Sequence, residues 1–182
     1  MEILLPHPEK KRALLVVDMQ AGFITEHSRH VIPAIRAVIT QGNYSLVVEA
    51  TFSAEPGSVW DTQTGFVFAK EPVIPEIRDV LGPDTIKVEK NTKSVFKGNT
   101  DVIGILHRTD IEEVHVVGID AHDCVLSTAE ESFDYGFTTY VIEECIASSE
   151  GKEYCEAAIK ILREVEMTNH SPRIRSFKKI HS

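Results

Sequence analysis

Apolar runs of strand length alternate along this chain with amphipathic stretches of helix length. The runs at 13–18 (ALLVVD), 45–52 (SLVVEATF), 85–90 (TIKVEK), 113–119 (EVHVVGI) and 138–144 (TTYVIEE) are short and rich in Val and Ile. Such runs predict parallel strands buried on both faces. Between them, Ile32, Ile35, Val38 and Ile39 share one helical face that closes at Gly42. A short helix is expected between Pro75 and Gly82, and a longer one around Val102, Ile105 and Leu106. Another runs from Cys124 to Gly136, and Tyr154, Ala158, Ile161 and Leu162 form the stripe of a last one. A final strand is expected at residues 174–177.

This rhythm predicts an α/β fold with right-handed crossovers and helices on both faces of the sheet. Open sheets of that class bind ligands at the carboxyl ends of their strands. The polar residues at those ends are Asp18, Lys90 and the segment from Asp120 to Cys124. The long stretch 53–72 leaves the same edge and carries the sole tryptophan, Trp60, with Phe66 and Phe68 nearby. It is expected to form a pocket wall; a surface loop packed on its own aromatics is the alternative.

Composition narrows the class. The 182 residues suit one domain over residues 1–182, with a core at 12–165. With 42% hydrophobic and 26% charged residues, disorder and fibres are excluded. A net charge of -9 counts against nucleic acid and anionic membranes as partners. No apolar run is long enough to span a membrane, and MEILLPHPEKKR lacks a secretory pattern, so a cytoplasmic protein is expected. Three cysteines, without a CxxC pair, argue against a disulfide scaffold and a structural zinc site.

Cys124 sits where a strand turns into a helix. Unpaired N–H groups and the helix dipole would lower a thiol pKa there, and a nearby lysine would lower it further. Asp18 could take the thiol proton, and backbone N–H groups at the turn could hold an oxyanion. A buried packing role for Cys124, a helix cap at Asp18 and a solvated Lys90 are the competing readings. Chemistry and spacing alone leave both sets open.

Three blocks, RALLVVDMQAGF, VEKNTKSVF and VVGIDAHDCVLSTAEESFDYGFTTYVIEECIAS, resemble in order the signature blocks of the isochorismatase-like cysteine hydrolases. The resemblance covers residues 12–165, and the third block is its most specific part. It implies a three-layer α/β/α Rossmann-like fold with a six-stranded parallel sheet. It also implies an Asp18–Lys90–Cys124 triad and a cis peptide bond between Ile119 and Asp120. That bond would turn the N–H groups of Ala121 and Cys124 toward an oxyanion. Phe23, Trp60 and His122 are the expected pocket residues, and a homodimer or homotetramer the implied assembly.

The form GIDxxDCV resembles a branch other than the nicotinamidases. Nicotinamidase-like members carry an Asp-x-His start and further histidines after the second strand. Residues 49–62, EATFSAEPGSVWDT, contain none, so neither metal nor other cofactor is expected; His27 and His30 read as surface residues. Ala121 stands where many relatives have Thr. Asp120 replaces a position that is often small and apolar, which would either favour a cationic or amide-NH substrate or raise the thiol pKa. Isochorismatases proper lack the cysteine. Cys124 therefore points to hydrolysis of a C–N bond in a small amide or carbamoyl substrate through a thioester. An ether hydrolase and a non-catalytic small-molecule binding protein are the alternatives.

Overall fold

A computed structural model describes residues 1–182. In chain order it contains β1 (Glu2–Pro6), β2 (Arg12–Val17), α1 (Ile32–Gln41), β3 (Leu46–Phe52), α2 (Val59–Thr64), α3 (Pro75–Arg78) and β4 (Ile86–Lys90). There follow α4 (Val102–Arg108), β5 (Glu113–Ile119), α5 (Leu126–Asp134), β6 (Thr138–Ala147), α6 (Lys152–Glu164) and β7 (Phe177–His181). The five apolar runs are the five strands of one parallel sheet, in the order β4-β3-β2-β5-β6.

The central strands β2 and β5 are buried on both faces and read as continuous apolar runs; the edge strand β4, expected to be buried in the same way, exposes Lys87 and Glu89 on one face because no strand or helix covers it there. Leu15 and Val17 of β2 join a cluster with Val102, Leu106, Ala129, Ala158 and Leu162 from α4, α5 and α6. Leu14 and Val16 point the other way, into a cluster with Ile35 and Val38 of α1. Ile3, Leu5 and Ile180 belong to that second cluster too. They come from a two-stranded antiparallel ribbon, β1 with β7, that covers this face beside α1. The layers are thus helices, sheet, and helix plus ribbon.

The sheet has five strands where six were expected. At the β6 edge Thr168 makes a single parallel bridge to Val141, with Val141 N donating to Met167 O at 2.8 Å and Asn169 N to Val141 O at 3.1 Å. The Asn169 side chain then takes the place of further ladder: it accepts from Glu143 N at 3.0 Å and donates to Leu4 O at 3.1 Å. The strand expected at 174–177 lies instead at Phe177–His181 and pairs with β1, outside the main sheet. Its partner is at the other end of the chain, so no local pattern announces it.

The strand order reverses between β2 and β5: two crossovers lead from β2 outward to β3 and then β4, and the next returns to β5. The crevice outside this reversal is where such sheets bind ligands. Close approach of the two strands there requires Gly118, whose φ is 125° and whose missing Cβ would lie 2.1 Å from Val17 O.

Candidate active site

Three strand ends meet at the crevice. Asp18 follows β2, Lys90 is the last residue of β4, and Cys124 lies in a π-helical turn (Ala121–Val125) between β5 and α5. β4 is two strands away from β2, about 10 Å at ordinary strand spacing, and Lys90 crosses that gap over the end of β3. Its Nζ passes 5.0 Å from the Phe52 ring centroid. It donates to Asp18 Oδ2 at 2.7 Å, to Thr92 O at 3.1 Å and to Cys124 Sγ at 3.4 Å. A lysine ammonium has three N–H donors, and all three are used. Asp18, Lys90 and Cys124 are 1%, 4% and 7% exposed, so the cluster is almost dry. Asp18 Oδ1 is buried and has no hydrogen-bond partner.

The electrostatics correct one expectation. Burial pushes the Cys124 thiol well up, and the Asp18 carboxylate raises it further; the Lys90 charge pulls down but does not win. Burial also raises Asp18, with Lys90 opposing. Burial disfavours the Lys90 ammonium, yet Asp18 and Cys124 together hold it charged. The resting cluster is therefore a buried Asp18–Lys90 ion pair beside a protonated thiol, not a ready thiolate. The expected lowering of the thiol pKa is overridden because Cys124 is buried and shares its site with the Asp18 carboxylate.

Asp18 and Cys124 line a cavity of about 400 Å³, with Lys90 behind them. One wall is aromatic: Phe23, Phe52, Trp60, Phe66 and Phe68. Phe23 and Phe68 stack at 4.4 Å. The 53–72 segment is a hairpin-like flap rather than an irregular loop. Ala54 and Phe68 exchange backbone hydrogen bonds at its base, 2.8 and 2.9 Å, and Ser58 caps α2 at its tip by accepting from Asp61 N. Trp60 Nε1 donates to Asn91 O at 2.9 Å, fastening the flap to the segment after Lys90. The other wall carries Asp120, His122, Asp123, Ser149 and Glu150.

Asp18, Lys90 and Cys124 come together as expected, and Phe23, Trp60 and His122 all face the cavity. The Ile119–Asp120 peptide is cis, and Ala121 is buried in the turn that follows. Asp120 is engaged by Ser149, whose N and Oγ both donate to its carboxylate. His122 Nδ1 lies 2.9 Å from Ser148 Oγ. Asp18 caps no helix: the turn at Ala21–Phe23 has Gln20 as its N-cap residue, without a side-chain cap.

Gln20 does not stand out in the sequence. Fully buried, it accepts from Phe52 N at 2.7 Å and donates to Phe52 O at 2.9 Å and Glu71 O at 3.0 Å, locking β3 and the flap's return to the Asp18 segment. Its signal is slight: one polar residue two positions after the strand-end acid. Ser149 and Glu150 escape notice because the end of β6 reads as ordinary strand and turn. His27 meets only its neighbour Glu26, at the surface. The structure gathers no set of three or more His, Cys, Asp or Glu side chains able to hold a metal ion, so the donor set of the metal-binding relatives does not fit here.

The isochorismatase domain model matches residues 12–170. The Bacillus subtilis isochorismatase family protein PncA is 28% identical over 162 residues, covering 76% of this chain and 87% of that protein. Maleamate amidohydrolase of Pseudomonas putida is 25% identical over 161 residues, covering 75% and 72%. The crystal structure of N-carbamoylsarcosine amidase from Thermoplasma acidophilum superposes with a TM-score of 0.72 at 25% identity, covering 91% of this chain and 99% of that one. With the matched model, the parallel sheet and the strand-end cluster in agreement, the chain belongs to the isochorismatase-like hydrolase family.

Proposed function

We propose that this protein is a metal-independent cysteine amidohydrolase that cleaves the C–N bond of a small amide or carbamoyl compound through a thioester on Cys124. The observation that carries the reading is the Lys90 ammonium bridging Asp18 at 2.7 Å and Cys124 Sγ at 3.4 Å on a cavity floor. A packing cysteine has no need of a buried ion pair, which costs desolvation energy to bury.

Asp18 Oδ1, buried without a partner, is the base. It takes the thiol proton as Sγ attacks the carbonyl carbon. Lys90 stabilises the sulfur anion as it forms, so a thiolate need exist only during attack. Backbone N–H groups of Ala121 and Cys124 receive the oxyanion of the tetrahedral intermediate. That intermediate collapses with cleavage of the C–N bond; Asp18 passes its proton to the departing nitrogen, leaving an acyl-thioester. Water then attacks the acyl carbon, its proton goes to Asp18, and the free acid and the thiol are restored. Both halves use one carboxyl as base and then acid.

The test is ammonia release from a panel of small primary amides by the wild-type protein, Cys124→Ala and Asp18→Asn. The expected result is release by the wild type that falls by at least about 10³-fold in either variant, with hydroxylamine trapping an acyl group on wild-type protein. Ammonia release that survives Cys124→Ala would rule out the thioester route, whereas hydrolysis of a vinyl ether that is indifferent to Cys124→Ala, with no amide turned over, would support the ether-hydrolase alternative.

A further inference from the structure

Four carboxylates line the cavity, Asp18, Asp120, Asp123 and Glu150, and neither Lys nor Arg does. Not all four are free. Asp18 is neutralised from below by Lys90. Asp123 forms an ion pair with Lys93 at the rim. Asp120 is held in place by the Ser149 backbone and hydroxyl, which fixes its orientation and leaves its charge uncompensated by any cation at bonding distance. Glu150 has only His122 near it, at 4.0 Å, and is 67% exposed at the mouth. Asp120 and Glu150 thus have no Lys or Arg at bonding distance, and His122 is the one basic side chain beside them; burial raises the Asp120 pKa while Ser149 and His122 pull it down.

The facing wall suits the same ligand. Aromatic faces attract cations through their quadrupole, and two rings of this wall already do so within the protein: Lys90 Nζ lies 5.0 Å from the Phe52 centroid and Lys93 Nζ 5.6 Å from that of Trp60. The Lys93 ammonium is held between an aromatic face, Trp60, and a carboxylate, Asp123. The cavity offers an entering ligand the same two kinds of partner, since Phe66 and Phe68 line it together with Asp120 and Glu150. A ligand carboxylate would lose its water and meet like charge, and the nearest cations, Lys90 and Lys93, are already paired with Asp18 and Asp123.

We infer that the cavity selects small amides carrying an ammonium or quaternary ammonium group and turns away amides bearing a carboxylate. This inference names the substrate class for the amidohydrolase reading above and rests on it for turnover, though not for binding. A polar amide end reaches the thiol on the floor, while the cationic end sits between the ring faces and the Asp120–Glu150 side.

The decisive comparison uses two isosteres that differ only in charge, trimethylammonioacetamide and 3,3-dimethylbutanamide, with maleamate as the anionic probe. Binding is measured by calorimetry on Cys124→Ser protein at low and high salt. The expected result is that the cation binds about tenfold or more tightly than its neutral isostere, that salt narrows the gap, and that maleamate is the weakest of the three. Glu150→Gln should weaken the cation about three- to tenfold and leave the neutral isostere unchanged. Equal or tighter binding of the neutral isostere, tighter binding of maleamate, or no binding of the cation overturns the inference. Ammonia release by wild-type protein from the same three amides separates the two readings. Charge-selective binding without release on any amide sinks the hydrolase reading alone; release without charge preference sinks this inference alone.

Discussion

Lys90→Met keeps an unbranched side chain, one atom shorter, and removes the charge from between Asp18 and Cys124. At 2.7 Å the lost attraction to Asp18 amounts to about 6 kcal/mol at an effective dielectric of about 20, before desolvation is counted. Removing one partner of a buried pair typically leaves a net cost of about 3–5 kcal/mol. Set against a total stability of about 5–15 kcal/mol, the variant is expected to fold with a much reduced margin. Asp18 escapes part of the cost by taking a proton. Burial already pushes its carboxyl up with Lys90 in place, and without Lys90 it rises further. A carboxyl whose folded pKa lies above its unfolded value stabilises the fold below the unfolded pKa, and that contribution is lost as pH rises through the folded pKa. Lys90→Met should therefore be closest to wild type near about pH 5 and furthest from it near about pH 8. Urea unfolding at the two pH values measures this directly. The double variant Asp18→Asn/Lys90→Met should regain most of the loss, since no unpaired charge remains. Lys90→Met within about 0.5 kcal/mol of wild type at the higher pH, or a double variant no more stable than the single, would refute the reasoning.

Three further outcomes follow from other parts of the molecule. Iodoacetamide alkylation of Cys124, resolved from Cys145 and Cys155 by peptide mass spectrometry, should titrate above the free-thiol value of about 8.5 because burial and Asp18 raise it; Asp18→Asn should move the midpoint down, and a midpoint below the free-thiol value or indifferent to the variant contradicts the electrostatics of a dry thiol beside a carboxylate. Asn169→Ala strips partners from Leu4 O and Glu143 N and should cost about 1–3 kcal/mol in urea unfolding; a cost under about 0.5 kcal/mol would mean that the residue merely fills space. His115 is fully buried, 2.7 Å from Glu113 and 2.8 Å from Tyr44 Oη, and burial pushes its pKa down against the pull of Glu113. Below about pH 6.5 the unfolded chain binds the proton that the folded one resists, so stability falls as pH drops through that window. His115→Gln should flatten the slope, and an unchanged slope would place the acid sensitivity elsewhere.

The centre of the sheet was legible because a strand buried on both faces is mostly apolar at successive positions, and Leu and Val at 14–17 and Val and Ile at 114–119 meet that requirement. The strand-end rule then collected Asp18, Lys90 and Cys124, although Lys90 has to cross β3 to arrive. What escaped was set by partners far away in sequence. β1 is a five-residue run ending in proline, and only its pairing with Phe177–His181 makes it a strand. The sixth strand vanished because the Asn169 side chain supplies the hydrogen bonds that a backbone ladder would have made. The thiol's direction of shift escaped for a similar reason: the helix terminus is visible in sequence, but the dry surroundings and the Asp18 charge appear only after folding. Gln20 and Ser149 are ordinary polar residues until the atoms they grip are in place.

The strand order also sets the sequence in which the chemistry can appear as the chain folds. β2 and β5 are hydrogen-bonded neighbours, so Asp18 and the Cys124 turn come together as soon as that pair forms. β4 touches neither; it docks only on β3, and β3 only on β2. A chain with the centre of the sheet built and β4 still loose holds an acid and a thiol without the ammonium. In that state the carboxylate opposes thiolate formation and nothing counters it. Parallel pairings joined by long crossovers are slow to form. The one cation that counters the carboxylate beside Cys124 is therefore delivered by the outermost strand, two strands from the Asp18 segment, rather than by any feature of the nucleophile itself.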